Sequence, residues 1–269
     1  MNLEKKFEET LKKIKISKSE KILVALSGGK DSAVVAYLLK KGGYNIEGLH
    51  IDLGMGKYSE DCLKKIQELC RNLKIKLWVF EVKKEFGNSM CYIRSKIQAE
   101  KKGIKNCAIC GVIKKRILNK EARKLEVSKI ATGHNLDDEA QTFLINIFKG
   151  SPELSSNSGA ITQNKKDKKF ITRIKPLFYI AEKEVKAYAM KMKLPVNYEK
   201  CPCAIDSYRI QIRNFLEKEK TRSKENIIHC LEKLKNKVNE LKSLEKVFYC
   251  ENCGEPSRKN ICKSCELMS

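Results

Sequence analysis

The chain has 269 residues, 42% hydrophobic and 33% charged, enough to bury one core of ordinary size plus a small appendage and unlike a disordered composition. Its formal net charge is +23, from 56 Lys+Arg against 33 Asp+Glu; plain solubility gives such a sum, but so does a polyanionic partner, nucleic acid first, because each cation set on a phosphate releases counterions. No apolar run reaches the ~20 residues that span a bilayer, and the Lys/Glu-rich amphipathic start is no secretory leader, so a cytoplasmic protein with no membrane partner is expected.

In chain order, Leu3, Phe7, Leu11 and Ile14 recur at helical spacing and predict a first helix. Ile22–Leu26 is a short apolar β-type run, followed by Ser-Gly-Gly and by Ala33, Val34, Tyr37 and Leu38 in a helical pattern. Residues 45–51 read as a second strand, 58–72 as a helix and 77–82 as a third strand. A helix over 108–125, a strand over 129–132 and a helix over 137–148 follow. Residues 150–169 are polar and rich in Gly, Ser and Lys, and read as a mobile surface loop. A strand over 170–177, a helix over 182–193 and a basic helical stretch over 207–243 complete the pattern; the plain reading of that last stretch is a solvated face. Strands alternating with helices predict an α/β fold, a parallel sheet with helices on both faces and ligands at the carboxyl ends of its strands.

One such end carries Ser27-Gly28-Gly29-Lys30-Asp31-Ser32. A turn from a buried strand into a helix presents unpaired N–H groups and the positive end of the helix dipole. Two glycines let the backbone curl around an anion, the serines add hydroxyls, Lys30 adds charge, and Asp31 suits a helix start. The second end carries Gly133-His134-Asn135-Leu136-Asp137-Asp138. Gly133 permits close approach, His134 can bond a phosphate or ribose, and Asp137 and Asp138 can hold Mg²⁺ or cap the next helix.

Together the two stretches resemble the SGGxDS and GHNxDDxA motifs of the PP-loop ATP pyrophosphatase superfamily, in its tRNA-modifying branch. The resemblance implies ATP bound at Ser27, Gly28, Gly29, Lys30, Asp31, Ser32, Gly133, His134 and Asp137 with Mg²⁺, cleavage between the α and β phosphates, and AMP attached to a carbonyl oxygen of the substrate.

Twelve cysteines in such a chain suggest metal or catalysis before disulfides. Cys62, Cys70, Cys91 and Cys230 fall singly and read as buried small hydrophobes. Cys107 and Cys110 form a CxxC at a helix start, which by itself suits a redox pair, half of a zinc site or nothing. A PP-loop chain with such a pair and the later Cys201-Pro202-Cys203, ahead of Tyr208, Arg209 and Arg213, resembles the TtcA/TtuA/NcsA group of tRNA thiolases. That resemblance implies a 4Fe–4S cluster on Cys107, Cys110 and Cys201, with one iron open to sulfide. The group more often has an aromatic residue where Cys203 stands, so the third ligand is open between Cys201 and Cys203, and the spare thiol can carry sulfur. Lys114 and Asp138 match functional residues of the group, so Lys114, Asp138, Cys201 and Cys203 are the catalytic candidates.

Cys250, Cys253, Cys262 and Cys265 are two CxxC knuckles at zinc-ribbon spacing, suited to one closed tetrahedral Zn²⁺. Lys259, Lys263 and Arg258 between the knuckles can meet RNA phosphates. The archaeal/eukaryotic-type members carry such a ribbon; they typically carry an N-terminal one too, and residues 1–20 hold no cysteine for it.

The expected division is an N-terminal helix over 1–20, an ATP-binding catalytic domain over 21–200, a basic helical segment with one cluster cysteine over 201–245, and a zinc ribbon over 246–269. The expected activity is ATP-dependent tRNA 2-thiolation: adenylation of the C2 oxygen of a uridine, then replacement by sulfur from sulfide or a sulfur-carrier protein. A homodimer follows from the resemblance alone. Two rivals stand beside this reading. One is another PP-loop tRNA ligase of the lysidine type, which has no use for Cys107, Cys110 and Cys201. The other is a nucleic-acid-binding redox sensor with a regulatory nucleotide site. Assigning all the paired cysteines to zinc is a further alternative.

Overall fold

The computed structural model describes residues 2–162, 169–203, 209–241, 248–257 and 259–269. Arg258, and the parts of the expected loop and basic stretch at 163–168, 207–208 (with Tyr208) and 242–243, lie outside them. Among the described residues no helix is long and apolar enough to cross a membrane.

Six strands form one sheet: β1 (Ile22–Leu26), β2 (Ile46–Asp52), β3 (Leu77–Glu81), β4 (Lys129–Ala131), β5 (Ile161–Thr162) and β6 (Thr172–Ile174), in the order β3-β2-β1-β4-β6-β5. All neighbours pair parallel except the β5–β6 edge. β1 reads as a continuous apolar run because both of its faces are covered. Ile22, Val24 and Leu26 enter one core, and Leu23 enters another with Leu49 and Ile130. The parallel sheet with helices on both faces is what the chain forms.

One face carries α1 (Leu3–Ile14), α2 (Lys30–Lys41), α3 (Lys57–Leu73), α7 (Leu136–Phe148), α8 (Glu182–Lys191), α9 (Arg209–Glu217) and α10 (Thr221–Leu241). The other carries α5 (Met90–Glu100) and α6 (Asn106–Lys124), with the short α4 (Val82–Phe86) at the end of β3. Helix α1 joins the main core through the four residues that predict it, with Lys6 ion-paired to Glu184 of α8 at 2.8 Å. The basic helices are not merely solvated, since Ile212, Leu216, Ile228 and Leu231 are buried in the same core.

Three expectations change. Segment 150–169 is not simply a loop: Pro152–Asn157 is a 3₁₀ turn, and β5 adds an antiparallel edge strand. Buried Ser155, bonded to Asn146, and buried Ala160 give that segment a local anchor. The strand over 170–177 is shorter, ending at Ile174, because Pro176 has no N–H to donate to a ladder. Of the single cysteines, Cys62 and Cys70 are buried as expected, but Cys230 is exposed and Cys91 is half-buried against another thiol.

The tail folds as β7 (Phe248–Tyr249), β8 (Pro256–Ser257) and α11 (Lys263–Met268). It docks on α6, with Leu267 buried beside Ile113 and Ile117. Glu255 receives Asn119 Nδ2 at 3.1 Å and Arg123 Nη1 at 3.0 Å.

Candidate active site at the switch point of the sheet

Strand order reverses between β1 and β4, which is where open α/β sheets form a crevice at their carboxyl ends. The Ser27–Ser32 loop leaves β1 there and the Gly133–Asp138 loop leaves β4. Gly28 has φ +85, and a Cβ on it would lie 2.8 Å from Cys62 Cβ on α3. Gly29 starts α2 without any side-chain cap, so the helix's first N–H groups stay available to an anion. Gly133 is where the loops touch: a Cβ on it would lie 2.7 Å from Ser32 N.

Not every motif side chain faces a ligand. Ser32 Oγ donates to Gly29 O at 3.0 Å and accepts from Ser27 N at 3.2 Å, so it staples the turn. Lys30 Nζ lies 3.0 Å from Asp31 Oδ2 and 2.8 Å from Glu182 Oε1. Burial works against the Lys30 charge, but those two carboxylates outweigh it and hold its pKa above the ordinary value.

Asn135 caps α7 through a capping box with Asp138, and its Nδ2 also donates to Asp31 Oδ1 at 3.0 Å. Asp137 is tied down: Oδ2 accepts from Glu182 N at 2.7 Å and Oδ1 from Lys224 Nζ at 2.5 Å. Asp31 and Asp138 lie near each other, Asp31 bonded by Lys30 and Asn135 and Asp138 with Arg209 Nη1 3.7 Å from its Oδ1. Burial raises the pKa of both, and the charge of Asp138 adds to the rise of Asp31. Crowded carboxylates of this kind suit a divalent cation, which would relieve them.

His134 Nδ1 is 2.9 Å from Thr132 Oγ1. The ring is open to the cleft yet enclosed by protein and cations. Burial first, then Lys175, Arg209 and Lys115, push its pKa down to about 4. Lys115, Arg173 and Lys235 are likewise destabilised as cations by burial, and Lys175 adds repulsion on Lys115 and Lys235. A cleft that crowds cations this way suits a polyanion.

The cysteines approach the same end of the sheet. Asn197 N donates to Gly28 O at 2.8 Å, and four residues later the chain reaches Cys201. Burial raises the Cys201 thiol; Cys203, Lys114 and Cys110 also act on it. Cys201 in turn acts on Tyr58, which hydrogen-bonds the Cys62 that backs Gly28. Cys201, Cys110 and Lys114 thus gather beside the loop, with Cys107 exposed one turn before Cys110 on α6. The Cys203 backbone N–H donates to Cys201, while the Cys203 Sγ lies 3.6 Å from Cys91 Sγ and 3.8 Å from Met55 Sδ. Among the described residues the one group of three or more ligand atoms within 4.8 Å of one another is the tail's Cys250, Cys253, Cys262 and Cys265. That suits a single ion. A cubane gives each thiolate a different iron and spaces them farther apart, so three thiolates beside an open cleft fit it in kind. In the tail, the N–H groups of Cys262 and Cys265 donate to Cys250 Sγ at 3.2 Å and Cys262 Sγ at 3.4 Å. The first of these holds the Cys250 thiol down to about 6, the state a zinc ligand needs.

Residues 1–220 match the PP-loop domain family. The chain belongs to the PP-loop family. The curated relatives include the tRNA-5-methyluridine(54) 2-sulfurtransferase of Pyrococcus horikoshii, 37% identical over 98% of this chain and 84% of the relative. Cytoplasmic tRNA 2-thiolation protein 1 of Anopheles gambiae is 35% identical over 93% of this chain and 74% of the relative. Among solved structures, the U34-tRNA thiolase NcsA from Methanococcus maripaludis with its [4Fe-4S] cluster aligns with TM-score 0.80 and 28% identity, covering 98% of this chain and 85% of that one.

Several residues of this PP-loop site escaped the sequence analysis. Thr132 and Asn135 lie inside the second motif but had no assigned role. Glu182 and Lys224 come from distant helices, as does Asn197 from the segment after α8, and no local pattern announces them. Buried His50 bonds Leu26 O through Nδ1 at 2.9 Å, and its Nε2 has no partner among the described residues.

Proposed function

We propose that this PP-loop protein is an ATP-dependent tRNA 2-thiolation enzyme that adenylates the C2 oxygen of a uridine and replaces it with sulfur. The observation carrying this reading is the approach of Cys201, Cys110 and Lys114 to the glycine-walled phosphate loop through Asn197 and Gly28. A nucleotide cradle alone serves any PP-loop ligase. Two thiols and a lysine converging beside it, with Cys107 one turn away on α6, serve sulfur.

In this reading the free N–H groups at the start of α2, with Gly28, Gly29 and Gly133, receive the phosphates, and Asp31 and Asp138 hold Mg²⁺. Asp137 keeps α7, α8 and α10 in register rather than binding the cation. His134, neutral at physiological pH, donates or accepts one hydrogen bond without adding charge. The C2 oxygen attacks the α-phosphate and pyrophosphate leaves; the adenylated oxygen is then a good leaving group, which is the chemical reason to spend ATP. Lys114 would hold the anionic sulfur at the reacting carbon. A 4Fe–4S cluster held by Cys107, Cys110 and Cys201 would supply an open iron able to bind sulfide. Zn²⁺ on Cys250, Cys253, Cys262 and Cys265 would stiffen the tail, and Lys115, Arg173 and Lys175 would meet tRNA phosphates. A sulfide or carrier-protein sulfur donor, a homodimeric state and a cytoplasmic location rest on the family resemblance and the relatives' names.

Nucleoside analysis of tRNA from cells lacking the gene tests this. Loss of one 2-thio nucleoside is expected; an unchanged thionucleoside profile would refute it. The lysidine-type rival predicts a colourless protein without iron after anaerobic purification.

A further inference from the structure

The half-buried Cys91 and Cys203, 112 positions apart in sequence, place their Sγ atoms 3.6 Å apart. Both thiols are free, and a bond between them needs the sulfurs to close to about 2.05 Å. Arg94 sits against them. It is 5% exposed, its Nη2 donates to Cys91 Sγ at 3.2 Å, and it also bonds Cys203. Its Nε is spent on Met90 O at 3.1 Å, one turn back on its own helix. Among the described residues no carboxylate pairs with this guanidinium, although buried cations are ordinarily paired. Sulfur stands where the anion is expected.

We propose that Cys203 and Cys91 form a sulfur-accepting and sulfur-releasing dithiol that takes sulfane sulfur from a small persulfide or a persulfide-bearing donor and delivers it as hydrosulfide beside Cys201. This rests on the thiolation reading and extends it to the form in which sulfur arrives. The donor R–S–SH passes its outer sulfur to the Cys203 thiol, leaving R–SH and a Cys203 persulfide. The Cys91 thiol loses its proton to solvent and its sulfur attacks Cys203 Sγ. The Cys91–Cys203 bond forms, the bond from Cys203 Sγ to the outer sulfur breaks, and that sulfur leaves with the electron pair as HS⁻. The two thiols are oxidised by two electrons and the sulfane sulfur is reduced by two. A dithiol reductant then reopens the disulfide for the next turnover. Arg94 supplies a fixed countercharge to the anionic sulfur throughout.

The test uses the full-length, iron-loaded protein, treated anaerobically with cysteine persulfide in the absence of ATP and tRNA, then alkylated and digested. The expected products are a Cys91–Cys203 linked peptide and one sulfide released per linkage. Cys91→Ser should retain the persulfide on Cys203 and release about tenfold less sulfide. With ATP and unmodified tRNA added, Cys91→Ser should match the parent within about twofold on free sulfide yet lose about tenfold when cysteine persulfide is the only sulfur source. Recovery of both thiols unlinked from the parent protein, or equal sulfide release from Cys91→Ser, would overturn the proposal. So would loss of iron in Cys203→Ser, which would make Cys203 a cluster ligand. Failure of the parent to thiolate with free sulfide would instead sink the thiolation reading, while the peptide map still reports on the pair.

Discussion

Asn135 Nδ2 donates to Asp31 Oδ1 at 3.0 Å while Asn135 Oδ1 caps α7, so one amide joins the two loops of the nucleotide cradle. Replacing it with Ala removes the cap and the bridge together. The cap alone is worth about 1 kcal/mol, read as a lowered unfolding midpoint. Asn135→Asp keeps the cap but sets a third carboxylate beside Asp31 and Asp138. It should therefore be near parental in stability and clearly worse in KM for ATP. Equal KM values for Asn135→Ala, Asn135→Asp and parent would remove the bridge from the account.

Gly133 carries a sharper prediction, because its absent side chain is what lets Ser32 N approach. Gly133→Ala must separate the loops, at a cost of about 1–3 kcal/mol for overpacking. Isothermal titration should show ATP affinity weakened by at least about tenfold with secondary structure intact. Parental affinity would mean that the loops do not act as one site.

His134 gives a pH test. Its pKa falls from 6.5 to about 4 in the folded chain, so the neutral ring is the native form. The unfolded chain takes up this proton first as pH drops, so the His134 contribution to stability is fully present above pH 6.5 and is lost on the way down towards 4. His134→Gln should flatten that part of the stability–pH curve. The pH–rate profile of the parent should show no limb near 6.5 belonging to this ring. A limb there that His134→Gln removes would contradict the assignment.

The ribbon's docking rests on Glu255, which burial would raise but which Arg123 and Asn119 hold below the usual carboxylate range. Arg123→Ala leaves that carboxylate half-buried and costs on the order of 1–3 kcal/mol. Limited proteolysis should then cut first within 248–257, and chelator treatment of the parent should do the same if a metal fills the four-cysteine site. Unchanged cleavage in both would mean that neither the ion pair nor the metal holds the tail.

Much of this was legible in the sequence wherever the signal is local. β1 announces itself by five apolar residues because both its faces are buried, and Gly28 and Gly133 by the turns they close. The α4–α5 pair over 82–100 was missed although Val82, Phe86, Met90, Ile93 and Ile97 follow helical spacing, because Gly87-Asn88-Ser89 interrupts the run; Ser89, capping Tyr92 N at 3.3 Å, was the readable clue. What no local pattern carries is contact across the chain. The motif offers Asp137 for Mg²⁺ or a helix cap, but nothing local foretells that its oxygens meet Glu182 N and Lys224 Nζ. Cys91 looked like a core filler until Cys203 came within 3.6 Å. Glu182 and Asn197 reach the phosphate loop only through the sheet's crossover.

In the proposed reaction the uridine C2 oxygen itself becomes the leaving group. A tRNA transcript carrying ¹⁸O at C2 of its uridines, incubated anaerobically with iron-loaded protein, ATP and sulfide, tests it directly by mass spectrometry of the AMP formed. One ¹⁸O in AMP is expected for each thionucleoside made. Unlabelled AMP alongside a thionucleoside product would contradict it.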